Sequence, residues 1–433
     1  MSGVVPSPLL DSLLEAAVPE SGIAWLDAAR RENREAVAAA GLPDTRVEAW
    51  KYTSLRSLAR HGFAGGDPGA ASRSIDPGTF ALPTVAGPCL VFVNGVFRHD
   101  LSALADLPPG LVLEPLSRAL AQDPEPLRFV LSRHYREVGD AFARINAANA
   151  VDGVVLRVAA GVELATPVHL VFIGTPAAVK LAWHARNVIE LGQGSRLALV
   201  EQHLGDPAQA DLATLVSDIE LREHARLTHT VLQSAGGNNL IRRNSLRLHA
   251  QAHAVMHAIE LGGALVRHDL QVALIGDGAH FDGRGVFMPQ ARQHIDTQLA
   301  IRHEARDTAS DAHWRGVATD RARGVFRGAV LVAPGADGSD ANLSNKNLLL
   351  SRDAEIDTKP ELEIYADEVQ AVHGATVGQL DEQALFYLRS RGIGAGEARA
   401  LLTSAFCLAV LGDLTDAAMR EHLATLLMTH LPA

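Results

Sequence analysis

The stretch Leu246–Ala258 reads LRLHAQAHAVMHA. Leu246, Leu248, Ala250, Ala252, Ala254, Met256 and Ala258 occupy one parity. Arg247, His249, Gln251, His253 and His257 occupy the other, with Val255 the lone exception. Side chains alternate faces along a strand, so this spacing predicts one small apolar face and one wet face. Similar units recur on both sides: IELGQGSRLAL from Ile189, IELREHARLTH from Ile219, VALIGDGAHFDG from Val272 and LAIRHEARDTAS from Leu299. Each reads as a strand, a tight corner near a small residue, then another strand. Their spacing, roughly 25–30 residues, is that of a solenoid. A unit this short cannot bury its apolar face alone. Stacked at about 4.8 Å per rung, successive units share one narrow core. Propeller blades would need more strand per unit. The expected fold is therefore mainly β, a parallel β-helix. Ala, Gly, Val and Leu at inward positions, with aromatics at 5% of the chain, suit an interior too thin for bulky rings.

Helical texture flanks this body. Ala24, Leu26 and Ala28 lead into Arg30–Ala40, and Gly41-Leu42-Pro43 ends that helix. Arg46–Leu55 (RVEAWKYTSL) reads as a loop packing Trp50 and Tyr52 back on the core, and 63–80 as a surface linker. Cys89–Phe97 (CLVFVNGVF) carries a hairpin signal at Asn94-Gly95. Residues 125–148 return to a helix. At the far end, Leu362, Ile364 and Ala366 still alternate, His373-Gly374-Ala375-Thr376 interrupts, and from Asp381 the apolar spacing turns helical. The organisation expected is 1–150 as a helical region with a small hairpin, 151–372 as the β-helix, and 373–433 as a helical region. Exposed solenoid ends need covers, and the two helical regions are the candidates for them.

Composition narrows the function. A formal net charge of -11 over 433 residues, without a long Lys/Arg run, disfavours nucleic acid as a partner. Two cysteines, Cys89 and Cys407, cannot build a disulfide framework and suggest a reducing compartment. No basic-then-apolar start and no membrane-length apolar run are visible, so a cytoplasmic protein without membrane association is expected. Walker A is absent, so any ATP dependence would come from a partner.

The histidines are the main candidates for chemistry. His249, His253 and His257 share a parity, but four residues of strand span roughly 13 Å, too far for one metal ion. A metal site there would have to borrow residues from neighbouring rungs, and a solvated outer face is the reading preferred. His294, Asp296 and Asp311 could serve as acid and base in a β-helix enzyme, though nothing places a nucleophile beside a base. Polar turn residues bonding neighbouring rungs are the reading preferred. Ser339–Leu350 (SDANLSNKNLLL) reads as a turn feeding a strand, with Asn and Ser able to ladder between rungs. His373 stands at the end of the strand body, beside small residues that admit another backbone. Imidazole is a borderline ligand for iron and exchanges a proton near neutral pH.

The run from Pro334 to Ile393 (PGADGSDANLSNKNLLLSRDAEIDTKPELEIYADEVQAVHGATVGQLDEQALFYLRSRGI), HIDT at His294–Thr297 and GVFRGAVLV from Gly324 resemble the SufB/SufD family of the SUF iron–sulfur cluster assembly system. The WKYT core of Arg46–Leu55 resembles the SufD branch. This likeness implies a right-handed parallel β-helix and a scaffold subunit without turnover of its own. It implies pairing with SufB through the β-helix; a homodimer through the same edge when SufB is absent is a further alternative. It also implies binding of the ATPase SufC through the C-terminal helices, with Asp381, Leu385, Phe386, Tyr387, Arg389 and Arg391 in or near that docking region. His373 falls on the family histidine, a cluster-assembly ligand at the SufB interface. No stably bound cofactor is expected, only a transient iron–sulfur cluster at that interface. Family members often carry a cysteine two residues before this histidine, where this chain has Ala371. The alternatives are a β-helix carbohydrate-active enzyme and a SufB-like scaffold carrying persulfide itself.

Overall fold

A computed structural model describes residues 7–431 apart from 17, 68, 83–84, 209 and 235; the outermost residues of both expected helical regions lie outside the described residues. Two ten-stranded sheets face each other across one core. From Val154 onward the chain alternates between them, and each strand pairs in parallel with the strand one rung away. His253 pairs with His280 and Ala309 with Asp340, an offset of 27 to 31 residues. The fold is a parallel β-solenoid, mainly β, with helices at both chain ends.

The stretch LRLHAQAHAVMHA is not one strand. Asn239–Leu248 lies in one sheet, His253–Glu260 in the other, and a corner joins them. His249 sits in the corner and only His253 and His257 share a strand. Parity survives the corner because one residue, Gln251, takes a left-handed conformation (φ 56°). The same device recurs at Gly194, His224, Gly278, Asp307 and Gly338. Each of these donates its backbone N–H to a carbonyl one rung on. Gly194 donates to Glu223, His224 to Ala250, Gln251 to Asp277, Gly278 to Arg306, Asp307 to Asp337 and Gly338 to Glu368, at 2.7–2.9 Å. The corners thus form a hydrogen-bonded column beside the sheets. Left-handed backbone is costly outside glycine, and the column offsets that cost.

The interior is narrow, as the alanines predict, but it does hold large rings. Phe281, Phe287, Trp314 and Phe326 are fully buried in it. Glycines on adjacent rungs make the room. Gly285 pairs in register with Trp314, and a Cβ there would stand 2.0 Å from the indole Nε1. Gly285→Ala therefore overpacks the coil and is expected to cost about 1–3 kcal/mol, read as a lowered denaturation midpoint. Gly396→Ala, with nothing near the added methyl, should leave the midpoint in place.

Covers are placed differently from expectation. Cys89–Val93 and Leu111–Pro115, from the region expected to be separate, join the two sheets and close the first rung. The hairpin at Asn94-Gly95 forms as read. The segment 63–80 is more than a linker: Ala64–Gly65 pairs with Leu181-Ala182, and Ala70 and Phe80 are buried. The N-terminal helices lie on the outer face of one sheet, over Ala182, Leu212, Ile241 and Leu265. The C-terminal helices lie on the outer face of the other, where Cys407, Val410, Leu414 and Leu423 meet Val200, Leu232, Ile259, Val286 and Val317. They brace a flank and do not close the far end. Among the described residues no strand pairs on that side: Glu355–Ile364 and Gln370–Gly378 are edge strands, the first mostly half-buried and paired through Lys359 to Glu48, the second largely exposed. The coil also runs past the expected boundary at 372. Small residues at Gly374 and Ala375 do not interrupt a strand that has a partner, and Gln370–Gly378 pairs along Asp340–Leu348.

Candidate functional site

His373 lies in the middle of the last strand, in register with Leu343, itself in register with Ala312 and Gly283. Leu343 and Ala312 are core residues, so the histidine occupies an axial position where the coil stops. It is exposed. Around it the edge presents Val372 (67% exposed), Val377 and Tyr365, beside backbone groups with no strand on their outer side. Nothing lies within 4 Å of a methyl placed on Gly374. The last rung is therefore flat, partly apolar and open to another chain. Just beneath it the interior is polar. Asn347 donates to the Thr376 carbonyl (3.0 Å) and to Asn345 (2.5 Å), and Thr358 donates to Asn345 (2.8 Å). Ser339–Leu350 does ladder between rungs, with Asn342 donating to Asp311 at 2.8 Å.

The tail residues separate by orientation. Asp381 caps Glu382–Ser390 by accepting the Gln383 N–H at 2.8 Å. Leu385 is buried. Phe386 (73% exposed) and Tyr387 face outward, Arg389 and Arg391 are exposed, and the Arg391 guanidinium lies over the Tyr387 ring. These outward residues form one aromatic and basic patch.

The acid–base constellation does not assemble. Asp296 is fully buried, paired with Arg267 and accepting from Thr53 at 2.6 Å, and His294 also meets Thr53 at 3.0 Å. Asp311 belongs to the other sheet, bonded to Arg284 and His313. Trp50 and Thr53 of the WKYT segment seal this part of the first sheet, with Arg267 stacked 4.0 Å over the indole. The cysteines are not poised for sulfur chemistry: burial pushes both thiols up to about 12.

A buried chain of charge went unread in the sequence. Glu201, His203 and His229 from one sheet meet Arg242 and His268 from the other, with Glu260 and Thr297 completing it. All are at most 2% exposed. Arg242 lies 2.9 Å from Glu260 and 4.0 Å from Glu201. Burial pushes the Glu260 carboxyl up, but His268, Arg242 and Thr297 outweigh it and hold it at about 2. The signal was present as charged residues on the inward parity of apolar strands.

Residues 172–406, more than half of the chain, match the family model described as the SUF system FeS cluster assembly SufBD core domain, and 14–170 match the SufBD protein N-terminal region. The chain belongs to the SufBD family. An iron–sulfur cluster assembly SufBD family protein of Synechocystis is 30% identical over 394 residues, covering 88% of this chain and 86% of the relative. The iron–sulfur cluster assembly protein SufD of Escherichia coli is 29% identical over 395 residues, covering 90% of each. A chloroplastic protein of Arabidopsis thaliana is 26% identical, covering 76% of this chain and 71% of its own. The core match covers most of the solenoid and runs on into the helix Ala395–Leu408, and the boundary between the two matched regions falls inside the second-sheet strand Val168–Gly174. No helix among the described residues is long and apolar enough to cross a membrane.

Proposed function

We propose that this SufBD-family chain is a SufD-type scaffold that pairs with a SufB-type sister chain through its open last rung and docks a SufC-type ATPase on its C-terminal helices. The observation that carries this reading is the uncovered coil end with His373 at its axis. An edge strand left bare invites pairing and is an aggregation hazard unless a partner takes it. A sister solenoid continuing the stack would satisfy those backbone groups. His373 then lies where the two coils meet and can ligate a nascent cluster, the cargo, with thiolates coming from the sister chain since Ala371 supplies none. The exposed Phe386–Arg391 patch is the ATPase dock. ATP-driven dimerisation of the docked subunits would pull on the tail and open the junction. The chain itself performs no turnover, works in the cytoplasm, and forms a homodimer when the sister is absent.

Co-expression of the full chain with SufB and SufC tests this. A stable three-component complex is expected. Phe386→Asp should lose SufC while keeping SufB, and Val372→Asp should lose SufB while keeping SufC. His373→Ala should leave the complex intact and lower its iron and sulfide content severalfold. Retention of both partners in both interface variants rejects the docking assignment, and full cluster content with His373→Ala rejects the ligand role.

A further inference from the structure

The outer face of the second sheet carries a side-chain cluster that the assembly role leaves unused. His253 and His280 are opposite each other on adjacent parallel strands, and Asp282 follows two residues on, on the same face. The imidazoles stack with centroids 4.6 Å apart at 16°. His253 Nε2 lies 2.8 Å from one Asp282 oxygen, and His280 Nε2 lies 3.4 Å from the other. One donor atom from each residue falls within 4.8 Å of the other two. All three are half-buried, with side chains 35%, 41% and 21% exposed, so the donors are held by packing and still reachable from solvent.

We propose that His253, His280 and Asp282 form a binding site for a divalent transition-metal ion of borderline softness, the class of zinc and ferrous iron. Two imidazoles and one carboxylate on one side of an ion are a donor set this class prefers, leaving the remaining positions to water. The strand register does the positioning. Parallel pairing sets the two imidazoles one rung apart, and the period of two along the second strand brings Asp282 to the same side. The stacked rings need only tilt toward the carboxylate to converge. Neighbours on the same face are committed elsewhere: Asp311 binds His313 at 2.8 Å and accepts from Asn342, and Arg284 spans Asp311 and Asp413. The site is distinct from His373, which lies three strands further along the same sheet, in register with Gly283 and so on the other parity from Asp282, and its failure would leave the scaffold reading untouched.

The test is a titration of the purified, chelator-treated full chain with zinc by calorimetry, and with cobalt(II) followed by visible absorption. One saturable equivalent per chain is expected, with a cobalt spectrum typical of nitrogen and oxygen donors. Asp282→Asn and His253→Ala should each weaken that equivalent at least about tenfold. His313→Ala, removing the neighbouring His–Asp pair, should not. Zinc should raise the thermal midpoint of the parent chain and of His313→Ala, and leave that of Asp282→Asn unmoved. Asp282→Asn keeps the side-chain shape, so it reports even if His253→Ala folds poorly. Absence of a saturable equivalent, or equal affinity in the parent and Asp282→Asn, overturns the proposal.

Discussion

Arg242→Ala is expected to lower the unfolding free energy by about 3–5 kcal/mol. The guanidinium is 1% exposed and reaches across the core to two buried carboxylates of the opposite sheet, Glu260 and Glu201. Removing it leaves negative charge in a low-dielectric interior with only histidines to answer it. A domain typically has about 5–15 kcal/mol to lose, so the variant should unfold at a visibly lower denaturant concentration and express poorly. A double variant separates the lost charge from the lost packing. Arg242→Met with Glu260→Gln removes one charge of each sign and keeps side-chain bulk, and it should recover much of the loss, because a buried ion pair is worth little net against an apolar replacement. Equilibrium denaturation of the two variants and the parent decides this. Equal stability of Arg242→Ala and the parent would mean that the chain of charge is solvated.

Acid is the second large effect. Burial pushes His169, His184, His257 and His303 down to about 4. His184 meets Thr214 at 2.7 Å, and His303 lies between the hydroxyls of Thr308 and Ser310. An unfolded histidine takes a proton near pH 6.5, so between pH 6.5 and 4 the unfolded chain binds protons that the native one refuses. Stability therefore rises with pH across that window and is lost on descending it. Each such histidine costs the fold roughly 3 kcal/mol by pH 4. Glu260 works in the opposite range. Its depressed value stabilises the fold above the ordinary carboxylate range and gives way only as pH falls to about 2. The buried histidines therefore act first, and together their cost is of the same order as the whole stability of an ordinary domain, about 5–15 kcal/mol. Denaturant midpoints at pH 7.5, 6.5, 5.5 and 4.5 should fall, with most of the loss below pH 6.5. His257 has no hydrogen-bond partner on either ring nitrogen among the described residues, so His257→Leu should flatten the slope. A midpoint constant from pH 7 to 5 would contradict this account.

The coil was legible because its signal is local. Inward parity at Leu246, Leu248, Ala252, Ala254 and Met256 holds through a corner, so a reader can find the repeat without knowing where the corner falls. The family was legible from the long motif run ending at Ile393. The position of the helices was not. Val200, Leu232, Ile259 and Val286 lie on the outward parity and look like isolated exceptions until the tail is seen to rest on all of them. The fit of Trp314 depends on Gly285 one rung away, a relation set by register and not by neighbours in sequence. The same holds for His253 with His280, and for Glu260 with Arg242 across the core. Parity exceptions such as Arg242 and Glu260 were visible singly, but which of them meet follows from the length of each corner.

The contact of the C-terminal helices with the second sheet has a mechanical consequence. Val200, Leu232, Ile259, Val286 and Val317 belong to five successive strands of that sheet. A load applied along the tail is therefore shared among five rungs in shear, and cannot peel them away one after another. The coil responds as a stiff beam, and displacement is delivered undiminished to whatever abuts its free tip.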